Sequence, residues 1–130
     1  MNVVGFVCFA LYPMAPPRML PLFVDVVNST HAIGSWHSGA LGGHANEFAA
    51  MPSLHMAWAM WCAWAGASAM PKRIGIALGT SYATLTVVAV LSTANHFALD
   101  LVVGALTFAI CWTVTAPGLP RRVSRAIFLQ

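Results

Sequence analysis

Two histidines, His55 and His96, each open a long apolar run, and Asp100 follows the second by four positions. Those residue types supply a nucleophile, a proton donor and a carboxylate to orient them. Positions four apart on a helix share a face, so a carboxylate at 100 can bind one nitrogen of the imidazole at 96. That fixes the tautomer and stabilises the cation formed when the other nitrogen attacks. Asp100 is the only acid inside any of the long apolar runs, where an ionisable group is costly enough to be functional by default. The plain alternative is an Asp100–His96 pair that only holds two helices together.

His55 stands just after Pro52 and Ser53, at the start of its own run. A helix N-terminus offers unpaired N–H groups and a positive dipole end, which suits a phosphate. Ser53 can add a hydroxyl donor, and His55 can protonate a leaving oxygen. Arg18 is the matching cation, planar and permanently charged. Each has a plainer reading, His55 as an amphipathic anchor and Arg18 as a headgroup-level base.

Such side chains work only if the surrounding elements bring them together. Hydrophobic residues make up 59% of the 130 and charged ones only 7%, against roughly 25% in a soluble domain. That leaves too little polar surface for a water-soluble globule and makes the chain an integral membrane protein. The net charge of +3 is scattered between apolar runs, so nucleic acid is excluded as a partner. Apolar runs cover Met1 to Tyr12, Pro52 to Ala69, Ile74 to Thr93 and Phe97 to Thr115. Pro13, Pro16 and Pro17 stop the first. That first run is short for a span and resembles the end of a helix whose beginning lies upstream. Residues 19 to 50 read as a loop, apolar from Met19 to Val27 and rich in Gly, Ser and His from Ser29 to Asn46. Gly75 and Gly79 have the spacing of a close helix-packing face.

Charge then sets a topology. If Lys72 and Arg73 are cytoplasmic, Arg121, Arg122 and Arg125 fall on the same side, and Arg18 alone of the six basic residues does not. The same threading puts His55, His96 and Arg18 at one membrane face. Cys8, Cys62 and Cys111 read as small hydrophobes. His31, His37 and His44 match no standard metal spacing, and Trp58, Trp61 and Trp64 read as helix packing and lipid contact.

Pro52-Ser53-Leu54-His55 followed by Asn95-His96-x-x-x-Asp100 resembles the second and third signature motifs of the type 2 phosphatidic acid phosphatase superfamily. Tyr12-Pro-Met-Ala-Pro-Pro-Arg18, Ala50-Met-Pro-Ser-Leu-His55 and Thr93-Ala-Asn-His96 look most like its inositol-phosphorylceramide-synthase-like branch. The resemblance runs from about Tyr12 to Trp112. It implies metal-independent transfer through a phosphohistidine with no cofactor. By it, His96 is the nucleophile, Asp100 orients it, His55 is the acid, and Ser53 and Arg18 hold phosphate oxygens. The family's first motif, a lysine with an arginine-proline seven residues on, is absent. Val90 stands where an arginine precedes the nucleophile, and four apolar segments replace the usual six.

The expected protein is an all-α integral membrane bundle of about four transmembrane segments, the first partial. Residues 1 to 130 form one membrane-embedded domain, the C-terminal catalytic part of a longer fold. The expected function is a lipid-phosphate phosphatase or phosphotransferase at the membrane surface. Its partners are the bilayer, a lipid phosphate and, for transfer, an alcohol acceptor such as inositol. The expected location is the plasma membrane, with the site extracytoplasmic and the C-terminus cytoplasmic. A motif-retaining scaffold without turnover and a bis-histidine haem protein would use the same residues.

Overall fold

The computed structural model describes residues 1–29 and 46–116. Among them the chain is helical, with α1 at Asn2–Leu11, a 3-10 turn at Pro17–Met19 and a single turn, α2, at Val26–Ser29. The long helices follow: α3 at Leu54–Ala69, α4 at Lys72–Ser92 and α5 at Ala98–Thr115. No strand occurs among the described residues; Met14 and Ala49 form one isolated bridge.

Local chemistry sets these ends. Proline after Tyr12 removes the donors that α1 would need to continue. The Ser53 hydroxyl accepts the Met56 N–H at 3.3 Å and caps α3. Between α4 and α5 the chain reverses through Ala94, whose φ of 52° lies in the left-handed region. His31, His37, His44, Arg121, Arg122 and Arg125 lie outside the described residues.

Two of the four expected spans are long and apolar enough to cross a membrane: α4 with 21 residues and α5 with 18. The 16 residues of α3 reach about 24 Å at 1.5 Å per residue, short of the roughly 30 Å hydrocarbon core. α1 has 10 residues and is shorter still. The exposure pattern is that of a bundle in lipid. Leu85, Ile110 and Val114 point outward, while Ser53 and Asp100 are fully enclosed. Apolar outside and polar inside is what a bilayer demands.

Small residues hold the bundle together. A Cβ on Gly75 would fall 2.6 Å from Ala67 Cα, and one on Gly79 would fall 2.9 Å from Ala63 Cα. The glycine spacing therefore marks the α3–α4 contact, and those two helices run antiparallel. A Cβ on Gly104 would meet the Ser53 carbonyl at 2.3 Å, so α5 seats the first turn of α3. At the far end Trp64 and Trp112 stack edge to face. Trp58 and Trp61 form a second such pair on the outside, and the Trp58 indole donates to Asn2 on α1. Cys8, Cys62 and Cys111 are free and only half-buried, more open than small core residues would be.

Candidate active site

α3 and α5 begin side by side, and the link is a backbone hydrogen bond from Ser53 N–H to the Asp100 carbonyl at 3.1 Å. Parallel helices starting at one level put their first-turn residues at one end of the bundle. His55 projects from the first turn of α3, and His96 stands two residues before α5. Their ring nitrogens, His55 Nδ1 and His96 Nε2, lie 3.1 Å apart. The rings meet edge to face with centroids 5.3 Å apart. A haem held between two histidines needs its ligand nitrogens on opposite faces of a macrocycle, and direct contact between them does not fit that reading.

The other nitrogen of His96 decides the tautomer. His96 Nδ1 lies 2.9 Å from the Ala50 carbonyl, which can only accept, so Nδ1 carries the proton. Nε2 then presents its lone pair, and His55 Nδ1–H donates to it. Asp100 Oδ2 is 3.6 Å from His96 Nδ1, inside ion-pair range but beyond a good hydrogen bond. That oxygen accepts the Phe97 N–H at 2.8 Å, at the N-terminus of α5. The sequence leads one to expect Asp100 to fix the tautomer. In the structure Ala50 makes that bond, while Asp100 acts on His96 through its charge and by setting the helix start. Asp100 Oδ1 is buried with no hydrogen-bond partner. An unpaired acceptor beside an imidazole favours positive charge on that ring.

Burial holds the His96 imidazole below the usual histidine range, and the neighbouring His55 adds to the depression. The Asp100 charge and the hydrogen bond to the Ala50 carbonyl pull the other way without winning. His96 is therefore neutral at pH 7, as a nucleophile must be.

Arg18 reaches this end through the proline-rich turn. Its N–H donates to the Ala94 carbonyl at 2.8 Å, and its Nη1 donates to the Asn95 side-chain oxygen. Asp25 approaches Nε at 4.0 Å. Asn95 Nδ2 in turn donates to Thr93 Oγ1 at 2.7 Å, and that hydroxyl donates to the Ala89 carbonyl at 2.7 Å. Arg18 is thus tied to the residue beside His96 and to the end of α4. The turn is pinned on its other side by Met14, which exchanges backbone bonds with Phe48 and Ala50.

All five residues singled out by sequence, Arg18, Ser53, His55, His96 and Asp100, fall at this one end. Ser53 is fully buried and its oxygen is engaged as the cap of α3, which leaves its hydroxyl hydrogen as the group able to donate. Ala50, Asn95 and Gly104 are the parts that sequence reasoning missed. Ala50 contributes a carbonyl that every residue type has, and Asn95 gave only its place next to His96. Val90 is buried, and its carbonyl accepts the N–H groups of Asn95 and His96 at 3.0 and 3.3 Å.

Among the described residues no cluster of three or more His, Cys, Asp or Glu is placed to hold a metal ion. The arrangement can do in-line group transfer. An acceptor nitrogen and a proton donor face each other along one axis, with a guanidinium nearby. A family model described as the PAP2 superfamily matches residues 1–114. No curated protein and no solved structure matches the chain.

Proposed function

The chain belongs to the PAP2 superfamily, whose members are phosphatases in the main, and from that premise we propose that it transfers the phosphoryl group of a membrane lipid through a phosphohistidine on His96. The observation that carries this reading is the hydrogen bond from His55 Nδ1 to His96 Nε2. It aims a proton donor along the line on which the nucleophile would attack.

In the proposed reaction His96 Nε2 attacks phosphorus, and the P–N bond forms as the ester P–O bond breaks. His55, protonated, gives its Nδ1 proton to the departing alkoxide, which leaves as an alcohol. Asp100 balances the positive charge that grows on the His96 ring. Arg18 and the Ser53 hydroxyl hold the non-bridging oxygens. Water, or an alcohol such as inositol, then attacks phosphorus while His55 takes its proton, and the P–N bond breaks. The first acceptor makes a phosphatase and the second a phosphotransferase. The proline-rich turn and the Thr93-Ala-Asn-His96 sequence support the inositolphosphotransferase-like branch.

We place the site at the outer face of the plasma membrane. The apolar faces of α4 and α5 would sit in the bilayer, with α3 and α1 completing four spans. Lys72 and Arg73 lie at the opposite end of α4 from the histidines, which supports that orientation.

The test is transfer of label from a phosphate-labelled lipid, such as phosphatidic acid, to the membrane-embedded protein. An acid-labile, base-stable phosphoprotein should appear in the wild type and vanish in His96→Ala. Turnover that survives His96→Ala would sink the mechanism. Free phosphate against an alcohol-linked phosphate product separates phosphatase from transferase.

A further inference from the structure

α3 and α4 touch tightly where Gly75 meets Ala67 and Gly79 meets Ala63. Toward the histidines the pair borders an open cavity of about 590 Å³, with Leu54, His55 and Trp58 on one wall and Tyr82, Thr86 and Ala89 among the residues of the other. From Thr93 to Tyr82 the cavity follows α4 for about 16 Å at 1.5 Å per residue. Its volume falls within the range of roughly 300–1,000 Å³ typical of ligand sites. His55 lines it and His96 does not.

Apart from the Tyr82 hydroxyl at its far end and the second ring nitrogen of His55, its polar lining is already engaged. The Thr86 hydroxyl donates to the Tyr82 carbonyl at 2.9 Å, and the Thr93 hydroxyl donates to the Ala89 carbonyl at 2.7 Å. The Asn95 side chain serves Arg18 and Thr93. Leu54, Ala89 and Val90 add only carbon, and the indole N–H of Trp58 goes to Asn2. A sugar or polyol in this space would strip water from many hydroxyls and find few matching partners along the Leu54, Trp58, Ala89 and Val90 walls. A hydrocarbon chain would not.

We propose that this cavity seats one hydrocarbon chain of the substrate's leaving alcohol, with the ester oxygen at His55 and the chain running down α4 toward Tyr82. The inference rests on the phosphoryl-transfer reading and adds to it where the leaving group lies. The acid lines the cavity and the nucleophile does not, so the phosphate sits at its mouth and the departing alcohol inside. The chain enters sideways between α3 and α4, and the headgroup stays at the surface.

Two measurements on the full chain in detergent test it, with n-alkyl phosphates of two to twelve carbons and phenyl phosphate as probes. In the wild type kcat/KM should rise with chain length, by up to about fourfold per methylene, and level off once the chain fills the cavity. Ala89→Phe should flatten that rise while eluting and melting in detergent as the wild type does, which shows that the variant folds; Thr86→Leu should alter the rise less. A rise of the same slope in Ala89→Phe and wild type would mean the gain comes from the micelle and would overturn the proposal. The second probe is an alkyl phosphate carrying a photoactivatable group at the chain end. It should label α4 near Tyr82, in His96→Ala as well as in wild type, and the label should fall in Ala89→Phe. Labelling elsewhere refutes the subsite. Absence of phenyl phosphate turnover in the wild type would count against the enzymatic reading alone, because labelling needs no turnover.

Discussion

His55 Nδ1 donates to His96 Nε2 across 3.1 Å, so in this structure the proton donor covers the lone pair that must attack. A phosphate between the two needs about 3 Å from nitrogen to phosphorus and a further hydrogen bond of about 2.8 Å from His55 to the leaving oxygen. With the P–O bond between them, the nitrogens must separate to about 6 Å or more. The pair is closed and has to open for substrate. Since Ala50 holds the other side of His96, His55 is the partner expected to move.

The two histidines should fail differently when replaced. His96→Ala removes the nucleophile and should abolish both turnover and the phosphoprotein. His55→Ala should cost about 10²–10⁴ in rate with an alkyl ester, the usual contribution of a general acid. With p-nitrophenyl phosphate, whose leaving group needs no proton, the loss should shrink to about tenfold or less. Equal losses with both substrates would remove His55 from the acid role.

The pH profile should carry the mark of His96. Its pKa is lowered from the usual 6.5, chiefly by burial, so it stays neutral and competent below the pH at which a free imidazole would be protonated. The acid limb of kcat/KM should therefore lie below pH 6.5, with a basic limb where the leaving-group acid loses its proton. Linkage gives the same sign for stability. The unfolded chain takes up the proton first as pH falls, so this contribution is full above about pH 6.5 and is lost below it. Thermal unfolding in detergent from pH 5 to 8 checks the second point, and a rate flat over that window argues against paired histidines.

Asn95 should behave as a positioning residue for Arg18. Its oxygen takes the Arg18 Nη1 proton while its nitrogen is anchored on Thr93. Asn95→Leu leaves a part-buried guanidinium without that partner, at a cost of roughly 1.5–3 kcal/mol for a bond to a charged group. Asn95→Asp keeps the bond but neutralises the cation. Both should raise KM by about tenfold or more with a smaller change in kcat. A pure loss of kcat in either variant would contradict this role.

The large features of this fold were legible because they rest on strong local signals. Proline stops α1, Ser53 caps α3, and the uncharged run from Ile74 to Thr93 gives α4, which in the structure starts two residues earlier at Lys72 and ends at Ser92. The site was legible in outline, since His55, His96 and Asp100 have spacing that survives any reasonable packing. What sequence did not carry was the bond that fixes His96, because a main-chain carbonyl at Ala50 leaves no mark in residue type. The span count also differs. Among the described residues only α4 and α5 pass by length and composition, because α3 begins at Leu54 under a buried cap rather than at the edge of its apolar run.

Gly104 links the packing of the bundle to the chemistry, and one methyl group tests the link. A Cβ there would stand 2.3 Å from the Ser53 carbonyl and 3.2 Å from Met56 Cβ. Backbone cannot swing aside as a flexible side chain can, so α5 and the first turn of α3 must move apart. Ser53 N–H is bonded to the Asp100 carbonyl, so that shift strains the register between the element bearing His55 and the one that follows His96. Gly104→Ala should cost about 1–3 kcal/mol of stability, the usual penalty of overpacking. It should also lower kcat by more than the folded fraction explains, because a shift near 1 Å at a reacting pair can cost about 100-fold. Gly66→Ala is the matched control, since its Cβ meets nothing within 4 Å. It should melt at or slightly above the wild type, from the helix propensity gained, and turn over as the wild type does. If Gly104→Ala did the same, the α3–α5 contact would not be what sets the distance between the two histidines.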